Sequence, residues 1–346
     1  MSTRSITAAG GAGVLVVAVF VFFLLSNRSA GEIPLIGGAF SPATCPLSGV
    51  EPKNDAVLDR PAVAIKIENA SIAYPLSGLE DAEVVYEELV EGGVTRFMAI
   101  YHCTDTSKAG PVRSARIVDP AIVSPITRIL AYSGQNAPVL RALEAAEIVR
   151  LEESEGAGGF RRIPRAGLTT EHTLYGSTAE LRKIGAKRHD RAPSGDLFKF
   201  GELAGDTDKA QSVEIVFSSA ETVRYRWSGS GYDRLEGSQA FVDDSGAQIA
   251  VDNVLIEEHE VNFSDTIVDA AGNPSTEIGD VTGSGRAVLF RDGRAVRGKW
   301  TRDSADAPVS FTTKSGDAMT FDKGSIWIEL VPSSSGEVKG SFSFEP

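Results

Sequence analysis

A chain of 346 residues, 42% hydrophobic, carries enough apolar material for one large core or two ordinary ones, and two domains are the default expectation. Its 47 acidic and 34 basic residues leave a formal net charge of −13, which repels phosphate backbones and argues against nucleic acid as a partner. Any anionic ligand must then be met by a local basic pocket.

The first element is apolar. Between Ile6 and Leu25 there is no ionisable side chain, and at roughly 1.5 Å per residue a helix of that length covers about 30 Å, the hydrocarbon thickness of a bilayer. A signal-peptidase site needs small residues at −1 and −3, and a cut after Ala30 would place Arg28 at −3, so residues 1–30 read as a cytoplasmic stub and an uncleaved transmembrane anchor. Arg4 precedes the span, and the positive-inside rule then puts residues 31–346 outside the cytoplasm, the chain being single-pass in the cell membrane. Residues 31–60 are rich in Gly, Pro and Ser and read as a linker. Cys45 and Cys103 are the only cysteines, and in an oxidising compartment a lone pair is most economically a disulfide; two unrelated buried thiols are the alternative.

Residues 61–205 read as a mixed α/β domain. Val63–Ile67 alternates like a strand, and Ser77-Gly-Leu-Glu80 has the spacing of a helix cap. Two β-prone runs, 84–91 and 94–101, flank Gly92-Gly93 as in a tight hairpin. A two-residue turn pairs Glu91 with Val94, Leu89 with Arg96 and Glu87 with Met98, which places the Arg96 guanidinium between Glu87 and Glu91; a three-residue turn shifts the register and dissolves that cluster. Gly110-Pro-Val-Arg113-Ser114-Ala-Arg116 leads into Asp119-Pro120, a helix-start signal, and its two arginines suit a carboxylate or phosphate clamp. Residues 129–134 read as a buried strand, with Gln135 in the loop before the next helix, where α/β sheets bind ligands. His172, between Glu171 and Tyr175, is a candidate acid or base, although a lone loop histidine more often serves structure. No histidine has metal-ligand spacing with another or with the cysteines; no metal and no cofactor is expected.

From about Val213 the texture becomes short alternating strands with turn residues between them, and residues 210–346 read as a mostly antiparallel β domain. The expected class is α+β. Trp227, Tyr232, Trp300 and Trp327 read as core aromatics, with a sugar-stacking surface as the alternative.

Several motifs together carry a resemblance: Pro75-Leu-Ser-Gly-Leu79, Asp81-Ala-Glu-Val-Val-Tyr-Glu87, Val90-Glu-Gly-Gly-Val-Thr-Arg-Phe97, Gly110–Arg116, His172-Thr-Leu-Tyr175, and later Tyr232-Asp-Arg234, Gly283-Ser-Gly285, Asp292-Gly293, Trp300 and Trp327-Ile328. In these the chain resembles the YerB-like family of bacterial envelope lipoproteins, a domain of unknown function with a distinct carboxy-terminal portion. The resemblance implies an envelope location and adds weight to Glu87, Glu91, Arg96, Arg113, Arg116 and His172; it implies no reaction. This chain departs from the family in lacking a lipidated cysteine and in having Thr173 after His172, where asparagine is more usual.

Two functions follow. The leading one is a binding or scaffold module for an anionic cell-wall glycan or peptide, or for an envelope protein, with Arg96, Arg113, Ser114, Arg116 and Gln135 as ligand contacts. The other is a cell-wall hydrolase with Glu87 and Glu91 as acid and base and His172 assisting, a reading weakened because residues four apart on a strand have Cα atoms about 13 Å apart.

Overall fold

The computed structural model describes residues 43–346 apart from 269–271 and 280. The expected membrane anchor at residues 6–25 lies outside the described residues, among which no helix is long and apolar enough to cross a membrane.

Five strands from the first half of the chain, β1 (Val63–Glu68), β2 (Val84–Leu89), β3 (Thr95–Tyr101), β4 (Ile129–Tyr132) and β5 (Val149–Glu152), are buried at almost every position. Such strands need cover on both faces. They lie in the order β2-β3-β1-β4-β5, with β1, β4 and β5 parallel and β3 antiparallel to both of its neighbours. Beside β2 runs Ile326–Pro332, in parallel, and beyond it Asn253–His259, also parallel. Gly283–Arg291, Arg294–Arg302 and Ser310–Thr313 follow in antiparallel order, and Thr207–Lys209 completes an eleven-stranded sheet.

That topology revises the sequence expectation. The segments 61–205 and 210–346, read as an α/β domain followed by an antiparallel one, contribute to a single mixed sheet, and residues 43–346 form one unit. The fold is largely β. The α-helices among the described residues are short: Asp119–Val123, Ala137–Ala145 and Thr178–Gly185. The linker expectation fails from Ala43 onward, because the Cys45–Cys103 disulfide ties this stretch down and Leu47 is fully buried.

One face of the large sheet is covered by a six-stranded sheet, whose Val213, Ile215, Val223 and Tyr225 share a core with Val85, Phe97, Val254 and Trp327. The other face is covered by the two helices Asp119–Val123 and Ala137–Ala145, which pack Ile122, Val123, Val139 and Leu143 against Ala64, Met98, Leu130 and Ile328. Tyr232, Trp300 and Trp327 are buried, so they serve the core rather than a sugar-stacking surface.

Candidate functional site

The geometry of the charged residues is decided by one turn. Gly92 and Gly93 both take left-handed φ angles, 74° and 78°, and the Val90 amide donates to the Val94 carbonyl, so five residues rather than two join β2 to β3. Glycine is required where two successive residues are left-handed. The register therefore slips by one from the two-residue expectation: Leu89 faces Thr95, Glu88 faces Arg96 and Glu87 faces Phe97. A slip of one residue exchanges the faces of a strand. Glu88, not Glu87, lies beside Arg96, and on the other side of β3 Arg96 is opposite Glu68 of β1.

Around that row the structure gathers most of the arginines singled out from sequence. The Val112–Ala115 segment is laced to the sheet by bonds from Arg113 N to the Lys66 carbonyl and from Ala115 N to the Gly134 carbonyl. Arg116 grips Glu91 through Nε, at 3.0 Å, and through Nη2, and gives Nη1 to the Ala115 carbonyl at 2.9 Å. The second oxygen of Glu91 accepts from Ser275 Oγ at 2.7 Å. Burial works against ionisation of Glu91, but Arg116 and Ser275 outweigh it and hold its carboxyl below the usual range. Arg113 Nε lies 3.8 Å from Glu68, without a hydrogen-bond partner, and His172 Nδ1 lies 2.8 Å from the same carboxylate. Glu68 is pushed up by burial, against the pull of Arg113 and His172.

Arg96 is left with little. Among the described residues its one hydrogen bond goes to the Ser114 carbonyl, at 3.3 Å, an oxygen that Arg116 also uses. Burial, and then repulsion from Arg116 and Arg113, lowers its guanidinium to about 9, and Glu91 and Glu88 only partly compensate. Ser114 thus contributes its backbone. Gln135, one residue past Gly134, holds a buried Oε1 with no partner.

Beneath this surface is a group that inspection of the sequence did not single out. The Lys66 ammonium is completely buried between Glu88 and Asp119, 2.7 Å from the latter, and the other Asp119 oxygen accepts from Arg116 N. One cation between two acids leaves Glu88 pushed up to about 7, burial being the main cause and Asp119 adding to it against Lys66. A signal was present: Lys66 and Glu68 occupy alternate positions of an otherwise apolar strand.

Glu87 is not part of the site. It points through the opposite face of the sheet, accepting from Thr95 Oγ1 at 2.5 Å and from Arg234 at 3.1–3.2 Å, with no exposure. Glu91 sits in the turn at the Arg116 side. The two carboxylates proposed as acid and base are separated by the sheet itself, which removes the geometric basis for that pairing. Cys45 and Cys103 are disulfide-bonded beside Glu83; these three form a metal-ligand-like group among the described residues, but oxidised sulfurs are not thiolate ligands.

Family comparison follows the same division of the chain as the sequence texture. Profiles described as "Protein of unknown function (DUF3048)", N-terminal and C-terminal domains, match residues 47–191 and 213–328. The chain belongs to this YerB-like family. A protein of Bacillus subtilis (strain 168) named "Putative lipoprotein YerB" is 26% identical over 330 residues, covering 90% of this chain and 93% of its own. The crystal structure of YerB from Bacillus subtilis matches at a TM-score of 0.72 and 23% identity, covering 87% of this chain and 99% of the other, so the fold is shared. In the YerB-like fold seen here, strands from both matched segments meet in one sheet, between β2 and Ile326–Pro332.

Proposed function

We propose that this protein is a membrane-anchored binding module of the cell envelope, and that the Arg96–Arg113–Arg116 cluster receives an oxyanion, carboxylate or phosphate, borne by a wall polymer or an envelope partner. One observation carries the reading: Arg96 is held among two other arginines with, among the described residues, a single, shared hydrogen bond. Guanidinium groups are costly to crowd and desolvate without an anion, and a bidentate oxyanion supplies the missing acceptors. The orphaned Arg113 Nε is a further donor for such an anion. The envelope location rests on the apolar segment at residues 6–25 and on the lipoprotein name of the Bacillus relative.

The test is co-sedimentation of the purified chain with cell-wall sacculi, with and without their attached anionic polymers, for the native chain and for Arg96→Gln. Retention that depends on the wall anions and falls about tenfold in the variant, as expected for a lost charge-assisted hydrogen bond, supports the reading. Equal retention of both chains overturns it.

A further inference from the structure

The arginine cluster has an acid at its rim, and that acid narrows which oxyanion the cluster takes; the inference rests on the anion-binding reading above. Glu68 ends β1, opposite Arg96 in the pairing of β1 with β3, and its side chain is only 2% exposed. A buried carboxylate beside a site for anions repels every ligand that does not bring it a hydrogen.

The surroundings of Glu68 leave room for such a hydrogen. Its two oxygens share one partner, His172 Nδ1, at 3.0 and 2.8 Å, and against a carboxylate that nitrogen carries the proton. An ionised carboxyl offers about four acceptor positions, so a single N–H leaves most of them open. Arg113 Nε stands 3.8 Å from the same carboxylate, beyond hydrogen-bond reach, and is itself buried without a partner. The guanidinium is held there from its other side, where Nη1 donates to the Glu171 carbonyl at 3.4 Å. A donor and an acceptor therefore flank one position. An oxygen bound at that position has to accept from Arg113 and donate to Glu68.

Few oxyanions can do both. Carboxylates, sulfate and phosphodiesters hold no hydrogen near neutral pH, so each would set a bare oxygen against the charge of Glu68. Inorganic phosphate keeps at least one O–H at that pH, and a phosphomonoester keeps one until its second ionisation, near pH 6.

We propose that the arginine cluster selects a phosphate that carries its own proton, as the free ion or as a monoester, with its ionised oxygens on Arg96 and its O–H bridging Arg113 Nε to Glu68. Glu68 is the residue that sets this specificity, and His172 holds its carboxylate in position.

The experiment is calorimetric titration of the purified chain with inorganic phosphate, sulfate, methyl phosphate, dimethyl phosphate and glycolate at about pH 6.5, where a substantial part of a monoester is still protonated. Inorganic phosphate should bind at least about tenfold more tightly than sulfate, the cost of facing a buried acceptor without a donor, and dimethyl phosphate should do no better than sulfate. Methyl phosphate binding alongside inorganic phosphate assigns the site to a monoester; inorganic phosphate binding without it assigns the site to the free ion. In Glu68→Gln an amide N–H replaces one acceptor, and the ratio of phosphate to sulfate affinity should fall to about twofold or less. Loss of a negative charge alone would tighten both anions equally and leave the ratio unchanged, which would overturn the proposal. Sulfate or glycolate binding the native chain as tightly as phosphate would overturn it too, and would mean that water alone bridges Arg113 and Glu68. These native affinities decide the matter even where the variant fails to fold. Binding of no anion at all would remove the anion reading itself, whereas equal binding of phosphate and sulfate removes only the selectivity.

Discussion

Glu87 and Arg234, separated by 147 positions in sequence, meet at 3.1 Å with both side chains fully buried between the two sheets. The guanidinium is enclosed by the rings of Phe241, Phe97, Trp327 and Tyr225, at 4.5–5.9 Å, and also binds Glu236 at 3.0 Å. Its charge is opposed by a group of acids that includes Glu87, Glu329, Glu236 and Glu221. Removing one partner of a buried pair costs roughly 3–5 kcal/mol, because the remaining charge is stranded.

Arg234→Met should therefore unfold at markedly lower urea concentration than the native chain, and the deficit should grow with pH. The sign follows from the acids: burial raises Glu87 well above the usual range, and burial with the Glu236 contact takes Glu221 to about 9. Acids with raised folded-state values contribute stability at low pH that is lost as pH rises through those values. Without Arg234 nothing opposes that loss. A deficit that is the same in acid and in mild alkali would show that the carboxyls do not ionise against one another.

How much of this was readable in the sequence depends on which physical signal each feature leaves. The disulfide was legible, because two cysteines allow one pairing. The Asp119-Pro120 helix start and the Ile129–Tyr132 strand were legible from local chemistry. The hairpin was legible in place but not in register: Gly-Gly marks a turn without stating its length, and one residue of difference moved Glu87 out of the arginine cluster and Glu88 into it. The joining of both halves in one sheet left no local trace, since the pairing of β2 with Ile326–Pro332 spans more than two hundred residues. Lys66 and Glu68 were hidden for a related reason. A charged residue in a strand looks solvent-facing until the layer that covers it is known.

Arg96→Gln should stabilise the protein by about 1 kcal/mol, within the range usual when a residue kept for binding is neutralised. Burial and the neighbouring Arg116 and Arg113 depress its guanidinium to about 9, so the charged form is disfavoured in the folded chain. A base lowered on folding costs stability at every pH below its folded-state value, and the gain in the variant should be constant from mildly acid to neutral conditions. Denaturant melts at two pH values, read beside wall binding, separate this from a structural role: a residue needed for the fold would lose stability and binding together.

Cys45→Ala with Cys103→Ala should lower stability by about 4 kcal/mol at most, the loop-closure contribution for a sequence separation of 58. Glu83 keeps its bonds from the amides of His102 and Cys103, so the local turn has support besides the sulfurs. The loss should act mainly through the unfolded chain, which becomes more extended, and the denaturant m-value should rise as the midpoint falls. A lower midpoint with an unchanged m-value would place the effect in the folded state instead.

Glu88→Gln tests the buried triad at the base of the arginine cluster. Glu88 rises on folding from 4.5 to about 7, chiefly through burial and then through Asp119, with Lys66 opposing. For an acid raised in this way the stabilising contribution is full below about 4.5 and is lost as pH climbs to about 7, so the native chain should weaken across that window. At about 1.4 kcal/mol per unit the change from this residue is about 3 kcal/mol as a ceiling. The glutamine variant keeps the shape and one hydrogen-bond acceptor for Lys66 but cannot ionise, and the remaining charges, Lys66 and Asp119, balance. Its stability should consequently fall less steeply than that of the native chain between pH 5 and 7, which urea melts across that range measure directly. Lys66→Met should do the reverse: with the ammonium gone, Asp119 and Glu88 face each other buried, and stability should drop most where both are ionised. Parallel pH profiles for native and Glu88→Gln chains would mean that Glu88 is already ionised at the lower end, held by Lys66 alone.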